Sequence, residues 1–153
     1  MADTYSIQVR IIIRKDLSDD QMKIIDRVVL GKGSLPDLLP EHLFFHYSNE
    51  SPDIFLVYEK LKGSAFNSGL FYSEPFGCIV TLDMQSIKGT DEYYRILLFI
   101  DWLSKIADSD QFVGFSSNLK DMENAELFFS KNKKLYIFPD FNDTGNKQVV
   151  YDE

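Results

Sequence analysis

A chain of 153 residues has room for one domain with a full core, and a domain of that size needs no disulfide or metal to hold it together. Its 44% hydrophobic and 14% aromatic content excludes a disordered chain. The net charge of -8, from 24 acids and 16 bases, disfavours a nucleic-acid binder, whose surface must neutralise phosphate.

Cys78 has no partner thiol, so no intramolecular disulfide can form, and a reducing compartment is expected. The first residues show no basic segment followed by an apolar one, so no signal peptide is read there. The longest apolar run, Ile96–Ile100, is far short of a membrane span. A soluble cytoplasmic protein that meets neither membrane nor nucleic acid is the expectation.

Tyr5–Lys15 alternates, with Tyr5, Ile7, Val9, Ile11 and Ile13 on one face, which predicts a strand buried on that side. Leu17–Leu30 predicts a helix. Ser18 and Gln21 have the spacing of a capping box, Asp19 and Asp20 suit the positive end of the helix dipole, and Gly31 is a natural stop. Met22, Ile25, Val28 and Val29 form its apolar stripe. Gly31–Pro40 is loop-like. Leu43–Tyr47 and Ile54–Tyr58 read as strands around the polar turn Ser48–Asp53, and Lys62–Gly69 as a further loop. Leu70–Ser73 is a short strand and Phe76–Met84 a longer one, with Phe76, Cys78, Val80 and Leu82 on one face.

Asp91–Ala107 is the main helix, with Thr90 as a candidate cap. Tyr93, Ile96, Leu97, Phe99, Ile100, Leu103, Ile106 and Ala107 make a wide apolar arc. Tyr94, Arg95, Asp101 and Lys105 lie opposite, and Leu98 and Trp102 fall among them. Two readings compete. The pair is the centre of a partner surface formed by Tyr94, Arg95, Leu98, Trp102 and Lys105, or a second element covers that side. Exposure of Trp102 above about a third would favour the surface. Burial beneath the C-terminal segment would make the helix core and move the search to the acidic loops.

Phe112–Phe115 reads as a short strand, and Asn118 as the cap of a short helix over Leu119–Phe129. Leu135–Phe138 is a last strand, stopped by Pro139. Residues 1–139 thus form one domain, with 140–153 a tail that includes a possible edge strand, Val149–Tyr151. The fold class is α+β: a largely antiparallel sheet with two main helices and a short third helix on one face.

Catalytic patterns fail on their own chemistry. His42 and His46 sit four apart, but Leu43 occupies the place of the glutamate of a zinc-protease motif. In an extended segment, at about 3.3 Å per residue, four residues separate the imidazoles by roughly 13 Å. Cys78 lies on an apolar strand face without a visible base. Gly31–Ser34 follows a helix rather than opening one, so it is not a phosphate loop. Pro52-Asp53 with Glu59 and Lys62 misses the nuclease spacing by one residue. The pairs Asp19/Asp20, Asp91/Glu92 and Glu123/Glu126 lie at or near predicted helix starts, where complementing the dipole is sufficient explanation. Lys131, Lys133 and Lys134 form the only tight basic cluster, in the turn between the last helix and strand. No catalytic, cofactor-binding or metal-binding residue is therefore assigned.

In size, acidity and mixed α+β pattern the chain resembles the bacterial immunity proteins that neutralise polymorphic or secretion-delivered toxins. The resemblance rests on no motif and assigns no residues. It implies a non-catalytic module that covers the active site of a basic toxin domain, with association speeded by charge. The alternative is an enzyme or small-ligand module using a pocket between sheet and helices, lined by the aromatic stretch Phe66–Phe76. A homodimer formed through Leu98 and Trp102 is compatible with either.

Overall fold

The computed structural model describes residues 4–46, 67–73, 77–88, 90–118, 121–138 and 148–149. The expected turn at Ser48–Asp53, the strand at Ile54–Tyr58 and the residues Pro52, Asp53, Glu59 and Lys62 lie outside them, as does most of the segment after Phe138.

Strand β1 (Thr4–Ile13) runs into helix α1 (Asp19–Leu30), whose capping box forms as read. The Gln21 backbone N–H donates to Ser18 Oγ at 3.1 Å, and the Ser18 N–H donates to Gln21 Oε1 at 2.9 Å. Gly31 ends the helix at φ 69°, a left-handed conformation natural to glycine.

Residues Leu43–His46 form a short helix, α2, not a strand. His42 starts it. Its carbonyl accepts from the N–H groups of Phe45 and His46, and its Nδ1 accepts from the N–H of Phe44 at 3.1 Å. An imidazole therefore takes the capping role that Ser or Asp usually fills. Phe44 and Phe45 are consecutive and both buried, which a strand with one wet face does not allow.

Strands β2 (Asn67–Ser73) and β3 (Gly77–Lys88) form an antiparallel pair. Helix α3 (Thr90–Lys105) follows, then β4 (Gln111–Asn118), β5 (Asp121–Lys131), β6 (Lys134–Phe138) and the two-residue β7 (Gln148–Val149). The helix expected over Leu119–Phe129 is thus β5. Leu127, Phe128 and Phe129 suit either period, and pairing with β4 on one side and β6 on the other satisfies the backbone of this segment. Among the described residues the short third helix is α2, ahead of the main helix.

The sheet is antiparallel throughout, in the order β2-β3-β1-β4-β5-β6-β7, and the fold is α+β. One continuous core joins Ile7, Val9, Ile11 and Ile13 of β1 to α1, α2, α3 and the inward residues of β3, β5 and β6. The helices therefore share one face of the sheet. Among the described residues no helix is long and apolar enough to cross a membrane.

Candidate interaction surface

Leu98 is 0% exposed and Trp102 3% exposed, so neither belongs to the surface. Among the described residues the element that covers Trp102 is α2. Phe45 meets the Trp102 ring edge-on at 5.8 Å, Phe44 packs on Phe99 at 5.1 Å, and Trp102 stacks on Phe99 at 5.9 Å. Tyr94, Arg95 and Lys105 are half-buried around the same helix, so the five residues do not form one exposed patch.

Asp101, expected on the wet side, is 1% exposed. Its Oδ2 lies 2.8 Å from His42 Nε2, and its Oδ1 accepts from the Leu135 N–H at 2.7 Å. Because His42 Nδ1 accepts a backbone N–H, the proton of the neutral ring sits on Nε2 and points at Asp101. Lys105 Nζ, one helical turn on, stands 3.7 Å from the same carboxylate. This network pins α2 and β6 to α3 and leaves no ring nitrogen of His42 for a metal. His46 is exposed at the far end of the turn. The two histidines are thus on a helical turn rather than extended, yet they face different surroundings. Among the described residues no group of three or more His, Cys, Asp or Glu could hold a metal ion.

A second polar cluster ties α3 to the sheet. Tyr93 Oη lies 2.6 Å from Ser116 Oγ and donates to Glu126 Oε1 at 3.1 Å, while its ring stacks on Tyr5 at 4.0 Å. Burial raises the Tyr93 phenol well above its ordinary range, with the nearby Glu126 charge adding to it. Burial also raises Glu126, against the hydrogen bond from Tyr93. Ser116 is 1% exposed, and the cluster acts as a strut that joins α3 to β4 and β5. Cys78 is a buried member of the core, and its thiol is raised by burial and then by Asp26. Lys131 and Lys134 face each other at a hairpin whose two turn residues, Asn132 and Lys133, both have positive φ. The basic cluster therefore lies in a β-hairpin and not after a helix.

The surface feature lies on the other side of the sheet. Phe112 is 54% exposed and Phe115 39%. Residues three apart on a regular strand point to opposite faces. Here a bulge between Phe112 and Gly114 sets two residues of β4 against one of β5, so Phe112 pairs with Phe129, and Phe115 with Leu127, on the same face. Gly114 makes the bulge possible. A Cβ at that position would stand 1.9 Å from the carbonyl oxygen of Gln8. The Gln111 side chain extends the junction, accepting from the Ile12 N–H at 2.9 Å and donating to the Ile12 carbonyl at 3.0 Å.

Phe112 packs on Phe129 at 5.2 Å, and Phe129 on Phe138 at 4.9 Å, giving an aromatic row across β4, β5 and β6. Two grooves flank Phe112, and it lines both. One, of about 380 Å³, runs toward β1 and β3 past Arg10, Asp83 and Phe115. The other, of about 410 Å³, runs over Phe129, Tyr136 and Phe138 to Asp110 and Lys131. An exposed aromatic ridge between two recesses, with charge at the margins, has the anatomy of a protein-binding hot spot. Alternation reading misses it because one extra residue changes the face. The available signal was a glycine inside an apolar strand, Phe112-Val113-Gly114-Phe115.

No family model, no curated protein and no solved structure matches the chain.

Proposed function

We propose that this protein is a non-catalytic binding module that docks another protein on the sheet face opposite the described helices, around Phe112. The observation that carries this reading is the 54% exposure of Phe112 between two grooves, in a chain that buries Trp102, Phe44 and Phe45. Exposed large rings cost solubility and are kept where a partner covers them. The class of module is an immunity protein acting in the cytoplasm, and the partner is a basic toxin domain whose active site the sheet face covers. The net charge of -8 supports this choice by favouring encounter with a basic surface.

The test is co-expression with the product of the adjacent gene, followed by light scattering of the purified material. The expected result is a heterodimer that persists for the wild type and is lost for Phe112→Ser with Phe115→Ser, while circular dichroism of that double variant is unchanged. A complex that survives the double variant would remove the sheet face from the reading. A homodimer lost in the same variant would assign the face to self-association instead.

A further inference from the structure

The two grooves beside Phe112 differ in charge from the chain as a whole. The groove toward β1 and β3 is lined by one base and one acid, Arg10 and Asp83, and the groove over β5 and β6 by Lys131 and Asp110. Each is balanced within itself, in a chain whose net charge is -8. Two copies of so acidic a chain repel at long range and can meet only where the local charge cancels. The strand register supplies a second observation. Phe112 of β4 stands beside Phe129 of β5, and Gln111 beside Ser130, which sets Asp110 next to Lys131 at the end of the β4–β5 seam. A ridge thus adjoins its own recess, and an acid adjoins a base, across one line. A half-turn about that line exchanges the members of each pair.

We propose that, with no other protein present, this face closes on a second copy of the chain about a two-fold axis that runs along the β4–β5 seam. Phe112 of each copy enters the groove over Phe129 of the other, and Asp110 of each meets Lys131 of the other. A surface that pairs with itself must carry both halves of every contact, and this one does. Sheets that pack face to face keep their strands nearly aligned, which an axis parallel to the strands preserves. The pair first expected at a dimer contact, Leu98 and Trp102, is buried and takes no part. The inference shares with the proposed function only the reading of this face as an interface. The second copy occupies the surface that the basic partner takes, so the two compete, and the free chain is the sample that tests it.

The experiment is sedimentation velocity of the full chain alone over a concentration series, with Phe112→Ser and two charge reversals. The expected result is a dimer that dissociates on dilution and is lost in Phe112→Ser. Asp110→Lys sets lysine against lysine at both contacts, and Lys131→Asp sets acid against acid, so either variant alone should weaken the dimer about tenfold. An equimolar mixture of the two should restore it, because every contact again joins an acid to a base. Asp110 accepts from the Asn132 N–H at 3.0 Å, so its reversal also loses a turn contact. Lys131 is exposed, and its reversal keeps the test sharp if Asp110→Lys folds poorly: high salt should return the Lys131→Asp dimer by screening the repulsion. A chain that stays monomeric at every concentration would overturn the proposal, and so would a dimer that Phe112→Ser leaves intact. A mixture that associates no better than its components would overturn it too. None of these outcomes decides the proposed function, whose failure is read separately, as a heterodimer that survives Phe112→Ser with Phe115→Ser.

Discussion

Two aromatic clusters in this molecule have similar ring geometry and opposite surroundings. Phe44, Phe45, Phe99 and Trp102 meet at 5.1 to 5.9 Å between α2 and α3, and all are buried. Phe112, Phe129 and Phe138 meet at 4.9 to 5.2 Å across the sheet face opposite the described helices, and Phe112 is more exposed than buried. Ring contact therefore does not distinguish core from surface. What differs is the second layer. The inner cluster has a helix on each side and a satisfied polar network beside it; the outer cluster has the sheet beneath it and grooves at its flanks. The inner set is enclosed by the fold, whereas Phe112 of the outer set faces solvent, where the proposed partner would cover it.

The comparison makes graded predictions. Trp102→Ala should cost about 4 kcal/mol in chemical denaturation, because it removes the ring on which α2 rests and opens a cavity. Asp101→Ala should cost about 3 kcal/mol, since it strands the Leu135 N–H and the His42 Nε2–H in a dry site. A loss as small as that of a surface substitution would mean that α2 does not seal the helix. Gly114→Ala should cost about 2 kcal/mol, because its Cβ would collide with the β1 backbone and something must shift. It should also separate Phe112 from Phe115 and weaken partner binding. Phe112→Ala, by contrast, should cost less than about 1 kcal/mol of stability, as expected of an exposed side chain, while removing most of the binding. A large loss of stability in that variant would erase the distinction between the clusters.

The subtlest test concerns the strut between the two faces. Glu126 has a raised folded-state pKa, chiefly through burial. Its contribution to stability is thus fully present below its unfolded value near 4.5 and is lost as pH rises through the folded value. Glu126→Gln should therefore gain stability relative to the wild type as pH is raised from below 4.5 toward neutrality. A difference independent of pH would show that the site is solvated.

Local structure was most legible where one strong pattern stood alone. The alternation in β1 and the capping box, stripe and terminal glycine of α1 are encoded within a few residues, and they form as read. The sequence misled where two patterns were compatible. Leu43–His46 carries adjacent phenylalanines that fit a strand or a turn of helix, and contacts with the main helix, His42 on Asp101 at 59 positions' separation and Phe45 on Trp102, favour the helix. Leu127–Phe129 likewise took its form from neighbours on both sides. The candidate surface was hardly legible, because a single bulge exchanged which residues of β4 face outward.

By itself the sequence determined the class of object: an acidic α+β chain with a large core, a capped first helix and a central helix apolar nearly all round. These follow from composition and from periods of two and 3.6 residues, which act over one element. Only the tertiary structure decided which apolar side chains are covered. Leu98 and Trp102 lie on the polar side of their helix and are nonetheless buried, Trp102 beneath Phe45 of α2. Phe112 and Phe115 look like ordinary strand residues and are exposed because the bulge at Gly114 turns both away from the helices. Burial is a property of the second layer, and the second layer comes from elsewhere in the chain.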